Sequence, residues 1–137
     1  MYLKIISNIA IVLITFSACS AENSVDLKEG KWSVTTTTTI EGMPFQMPPV
    51  TMTECLTHEN YMPKQQEEDE SKCKFVNKKI DGSTVTWEMK CPHSSSFSTI
   101  TYKHDTFSGE MKMQTDEEGG SVKMTAKMQG KYIGPCK

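Results

Sequence analysis

The chain contains no arginine, no CxxC pair, no GxSxG elbow and no uninterrupted apolar stretch long enough to cross a bilayer. Each absence removes a class of function. Without arginine there is no bidentate fork for phosphate or for a guanine edge. The lysines are scattered and often alternate with apolar residues, as in Lys112-Met113 and Lys123-Met124, which is the pattern of a wet strand face and not of a basic patch. Nucleic acid is therefore not expected as a partner. Without CxxC spacing the cysteines do not form a recognisable zinc or dithiol redox site. Without the elbow, and with no histidine set in a nucleophile–base motif, no catalytic residue is expected and the chain reads as a non-enzyme.

The most apolar stretch, Ile5–Phe16, is twelve residues long and follows a single positive charge at Lys4. A spanning helix needs about 20 apolar residues, so this is the core of an export signal. The stretch ends in Phe16-Ser17-Ala18-Cys19, which resembles a bacterial lipobox, with phenylalanine where leucine is usual. Cleavage before Cys19 would leave an acylated cysteine as the membrane anchor; cleavage after Ala21 would release a soluble exported domain. Residues 1–21 are thus assigned to the signal and 22–137 to one domain, with residues 20–27 as a short polar tether. Removal of the signal leaves fourteen lysines facing seventeen carboxylates, a net charge near −3.

Five cysteines are an odd number for an exported chain, and either cleavage resolves this by acylating or discarding Cys19. Cys55, Cys73, Cys91 and Cys136 remain. Between Cys73 and Cys91 lie two strand-like runs around Asp81-Gly82-Ser83, a hairpin signal. A three-residue loop would pair Ile80 with Thr84, Phe75 with Met89 and Asn77 with Trp87, and would bring Cys73 opposite Cys91 at a separation suited to a disulfide. Cys55 is then left for Cys136.

Period-two alternation dominates the rest, predicting an all-β chain. Trp32, Val34, Thr36, Thr38 and Ile40 share one parity within a threonine-rich strand. A turn at Glu41–Pro44 would pair Ile40 with Phe45 and Thr38 with Met47, with Pro48-Pro49 breaking or bulging the returning strand. Even-length loops at His104-Asp105 and around Asp116–Gly120 keep the apolar parities on one face, setting Tyr102 opposite Phe107 and Met113 opposite Met124. The expected architecture is an antiparallel up-and-down meander of about seven strands forming a half-barrel or small barrel. One short helical turn over Glu59–Met62, stopped by Pro63, and a polar acidic loop at Gln65–Glu70 interrupt it. Ser94-Ser95-Ser96 reads as a linker.

Several segments together resemble a bacterial family catalogued as domain of unknown function 3617. They are Gly30-Lys31-Trp32, the Gly42–Pro49 turn, Cys55-Leu56-Thr57, the Cys73–Cys91 hairpin, Thr106–Gly109 and Gly130–Cys136. The chain departs from the family pattern at Glu29, where proline is common, and at Ser94–Ser96, in place of a glycine-rich stretch. The resemblance implies an exported, often lipid-anchored protein of Gram-negative bacteria, placed in the periplasm or on the outer membrane, and brings no known activity.

Nine methionines survive loss of Met1, in a chain with few leucines. Methionine is flexible and polarisable and suits surfaces that accommodate varied partners. Met47, Met111, Met113, Met124 and Met128 are expected to line one sheet face, either filling a small core or binding an apolar ligand or an envelope protein. The alternative is a soft-metal site for Cu(I) on the same thioethers, with nitrogen from His58, His93 or His104. No resident cofactor or metal is called for.

Overall fold

The computed structural model describes residues 24–62 and 72–137; the signal, Cys19 and the acidic loop lie outside them. Seven strands follow one another: β1 (Gly30–Ile40), β2 (Val50–Leu56), β3 (Lys74–Asp81), β4 (Thr84–Lys90), β5 (Ser94–Lys103), β6 (Thr106–Glu117) and β7 (Gly120–Gly134). They form one antiparallel sheet in the order β2-β1-β7-β6-β5-β4-β3. The seam that would close an up-and-down barrel, between first and last strands, is made as β1–β7. The sheet stays open instead between β2 and β3. Successive neighbours alternate in direction, so these two edges run the same way and cannot meet in an antiparallel ladder.

The turns explain the register. His104-Asp105 closes the β5–β6 hairpin with Lys103 opposite Thr106 and Tyr102 opposite Phe107, and His104 takes φ 57°. Glu118-Gly119 closes β6–β7 with Glu117 opposite Gly120 and Met113 opposite Met124. The β3–β4 hairpin differs from expectation. Its loop is the two residues Gly82-Ser83, with Asp81 opposite Thr84 and Ile80 opposite Val85. Glycine takes the turn position that requires positive φ, here 57°, which leaves Asp81 in the ladder. Further along, the register shifts between Val76 and Lys79, a bulge in which Asn77 and Lys78 together oppose Trp87. Asn77 takes φ 54° there, and its amide donates to Glu88 Oε2 at 2.8 Å. The bulge absorbs the one-residue difference, so Phe75 still faces Met89 and Cys73 still bonds Cys91, with Cα atoms 4.1 Å apart.

Cys55 bonds Cys136 across 81 residues of sequence. The two disulfides secure the two edge strands at opposite ends of the sheet. Cys55–Cys136 ties β2 to the tail leaving β7, and Cys73–Cys91 ties the entry to β3 to the end of β4.

Three expectations are corrected. Thr57–Tyr61 forms a single turn and no helix: Tyr61 N–H reaches Thr57 O at 2.9 Å, and Asn60 Oδ1 accepts from Thr57 N–H, which caps the turn without extending it. Ser94–Ser96 is not a linker but the start of β5, where Ser96 and Ser98 are buried opposite Met113 and Met111. Small side chains there leave room for the methionines and for Trp87, which faces Ser98 across β4–β5. Finally, the supposed tether is core from Val25 onward, because Val25 and Leu27 are both buried. Their segment crosses one end of the half-barrel as a strap. His104 N–H donates to Asp26 O at 2.7 Å, Lys28 N–H donates to His104 O at 2.8 Å, and Asp26 N–H donates to Ser83 Oγ at 3.0 Å.

Candidate functional site

Side chains of opposed residues in an antiparallel sheet lie on the same face, so the pairings define the inner surface row by row. Nearest the strap, Trp32 faces Tyr132 across β1–β7, and the next row runs Tyr102, Phe107, Gly130 and Val34. These aromatic rings pack against one another: Trp32 and Phe107 centroids are 5.6 Å apart and Tyr102 and Phe107 5.5 Å. Glycines make this close approach possible. A Cβ on Gly130 would stand 2.0 Å from the Phe107 ring, and one on Gly109 would stand 2.8 Å from Ile100. Tyr102 donates its hydroxyl to Tyr61 O at 2.7 Å, and burial together with the Tyr61 ring neighbour pushes its phenol pKa far above the ordinary value. Trp32 Nε1 donates to Lys28 O at 3.0 Å, which ties the strap to the aromatic floor.

Toward the other end the inner face changes character. One row runs Trp87, Ser98, Met111, Ala126 and Thr38; the next runs Phe75, Met89, Ser96, Met113, Met124 and Ile40. Met89, Met111, Met113 and Met124 are half-buried, and so are Phe75 and Ile40. Met128, opposite Gly109, is the one expected face methionine that packs against the buried cluster. The four strand methionines of the expected set therefore share a face, and Met89 joins them, a residue that alternation along β4 could have supplied. Met47 does not join them in a strand. Its N–H reaches Thr38 O at 3.4 Å, but the β1–β2 ladder runs only from Gly30–Leu56 to Thr36–Val50, so the expected Ile40–Phe45 and Thr38–Met47 pairs are not formed; the Pro48-Pro49 step lies between, and the side chains of Met47 and Phe45 are exposed.

Two of the three histidines lie at the strap, away from these sulfurs. His58 Nδ1 is 3.0 Å from Glu29 Oε1 and Nε2 is 3.2 Å from Val25 O, both at the strap. His104 Nδ1 is 3.2 Å from Asp26 Oδ1 on the same segment. The backbone N–H of His58 also donates to Glu29 at 2.8 Å, and this contact and the ring hold the Glu29 carboxyl below its ordinary value. His93 sits in the β4–β5 turn, where its carbonyl accepts from Asp116 N–H. Among the described residues no group of three or more His, Cys, Asp or Glu is gathered as a metal site.

A groove of about 320 Å³ lies mainly on the opposite, outer face, lined by Phe97, Lys112, Lys123, Glu88 and Glu41, with Met113 and Met124 also contributing to its walls. Its only forewarning is Phe97, an aromatic at the wet parity of β5 and 51% exposed. Both lysines have carboxylate partners, Lys112 with Glu110 at 3.2 Å and Lys123 with Glu41 at 3.8 Å. The groove thus has no unopposed charge with which to select an ion.

No curated protein and no solved structure matches the chain. A family model does, over residues 27–136, from the strap to the last cysteine. That span contains the whole sheet and both disulfides, and the chain belongs to the family described as protein of unknown function (DUF3617).

Proposed function

We propose that this chain is an exported, non-enzymatic module of the bacterial envelope that takes an apolar ligand against the methionine half of its inner face. The observation that carries the reading is the contrast within one surface: Trp32, Tyr102 and Phe107 are buried, whereas Met89, Met111, Met113 and Met124 are only partly so, on a sheet that does not close. Covering such side chains removes apolar area from water at about 25 cal/mol per Å², and flexible thioethers adapt to an acyl chain or similar ligand without a fixed shape. Two disulfides fit an oxidising compartment. Anchoring through an acylated Cys19 would place the module at a membrane surface; the intact mass of the protein from its native envelope tests this, because acylation adds mass and cleavage after Ala21 removes the cysteine.

The ligand reading is tested by displacement of a fluorescent apolar probe with a long-chain fatty acid. Wild type should bind and release the probe, and Met113→Asn with Met124→Asn should abolish binding. No binding by the folded wild type would refute it. The Cu(I) alternative draws on one specific feature, the direct opposition of Met113 and Met124, and loses His58 and His104 to the strap carboxylates. Failure of the protein to take Cu(I) from a chelator would eliminate it.

A further inference from the structure

The two edges of the sheet are built differently. β3 displays Lys74, Lys78 and Lys79 and carries the bulge at Asn77-Lys78, and both features oppose the addition of another strand. β2 has no lysine and no bulge, and among the described residues its neighbour in the sheet is β1 alone. Of the eight exposed large apolar residues in the described chain, five lie on β2 or on the segment entering it: Met43, Phe45, Met47, Val50 and Met52. A bare edge of this kind is a template for strand addition.

Charge selects the occupant. From Trp32 to Met62 there is no lysine or arginine, while Glu54 and Glu59 are exposed; Glu41 is already paired with Lys123. A second copy presenting its own β2 would offer Glu54 no base, since that strand carries neither lysine nor arginine. A second copy presenting β3 would meet β2 with a bulged, interrupted ladder. We infer that β2 is the docking edge for an extended segment of a different protein, added as an eighth strand, with apolar residues beside Val50 and Met52 and a lysine or arginine beside Glu54. Val50, Met52 and Glu54 share the inner face, through their pairing with Thr36, Val34 and Trp32, so the incoming strand must present two apolar residues and one base at alternate positions. Main-chain hydrogen bonds then supply affinity and this alternation supplies selectivity.

The test uses the disulfide-bonded full domain and two labelled peptides, Lys-Thr-Val-Thr-Val-Thr-Lys and its counterpart with glutamate at both ends. Fluorescence anisotropy should show the lysine peptide binding at least about fivefold more tightly, the size expected when exposed ion pairs are replaced by repulsion. Glu54→Lys should reverse the preference, and Lys79→Glu on the far edge should leave it unchanged. Amide hydrogen exchange at Thr51–Glu54 should slow when the lysine peptide is present. Met113→Asn with Met124→Asn should not alter peptide binding, which separates this surface from the apolar-ligand reading. Equal binding of the two peptides, indifference to Glu54→Lys, or a dimer whose β2 amides are already protected without peptide would each overturn the proposal.

Discussion

Two halves of one inner face, built on the same strands, have been given different materials. Near the strap, Trp32, Tyr102 and Phe107 are buried, and Gly130 lies so close to the Phe107 ring that there is no room for a side chain there. A few residues further along β6 and β7, methionines replace the rings and are only partly buried. Rings with two torsions pack into one arrangement, whereas thioethers with three adjust. The difference suggests a division of labour in which one half holds the fold and the other is free to receive something.

Substitutions can break that comparison. The largest effect is expected for Trp32→Ala, which removes the ring at the centre of the aromatic half and should cost about 3–5 kcal/mol in urea unfolding. Replacing Cys55 and Cys136 together by alanine should cost about 4.5 kcal/mol on the chain-entropy account, and the Cys73–Cys91 pair about 3, because the first closes the longer loop. Gly130→Ala should cost about 1–3 kcal/mol through overpacking against Phe107. Met113→Ala should cost only about 1 kcal/mol, since a half-buried side chain loses less than the range for buried methionine. If Met113→Ala proved as damaging as Trp32→Ala, the two halves would be one core.

The smallest effect concerns the strap. His58 holds the Glu29 carboxyl below its ordinary value, so this contact stabilises the fold above the unfolded carboxylate range and is lost as pH falls through the lower folded value. Glu29→Gln should therefore flatten the acid limb of stability against pH, leaving stability above that range only slightly changed. Unaltered acid sensitivity in this variant, measured by urea titrations across the acid range, would remove the strap contact from the account.

How much of this was legible in the sequence follows from which physical rule governs each feature. Parity places Met113 against Met124 and Tyr102 against Phe107 because a one-residue slip would turn an entire strand inside out. The Cys73–Cys91 hairpin is legible at its far end and not at its turn, since Gly82 rather than the Asp81-Gly82 pair begins the loop and the bulge at Asn77-Lys78 restores the register. Val25 and Leu27 are too few to give a periodic signal, so their burial depends on tertiary contacts with the ends of the sheet that no local pattern records. The partial exposure of the methionine half is likewise a property of what packs over the sheet, which no local pattern records. Alternation assigns a residue to a face and says nothing of whether that face is covered.

The central claim is most directly tested by methyl NMR of the domain carrying carbon-13 in its methionine methyl groups, titrated with a long-chain fatty acid. The account predicts that the resonances of Met89, Met111, Met113 and Met124 shift together and saturably, while Met128, packed on the aromatic half, moves least of the inner-face set. A titration in which none of those four resonances moves would show that the methionines are filling and not a surface for a ligand.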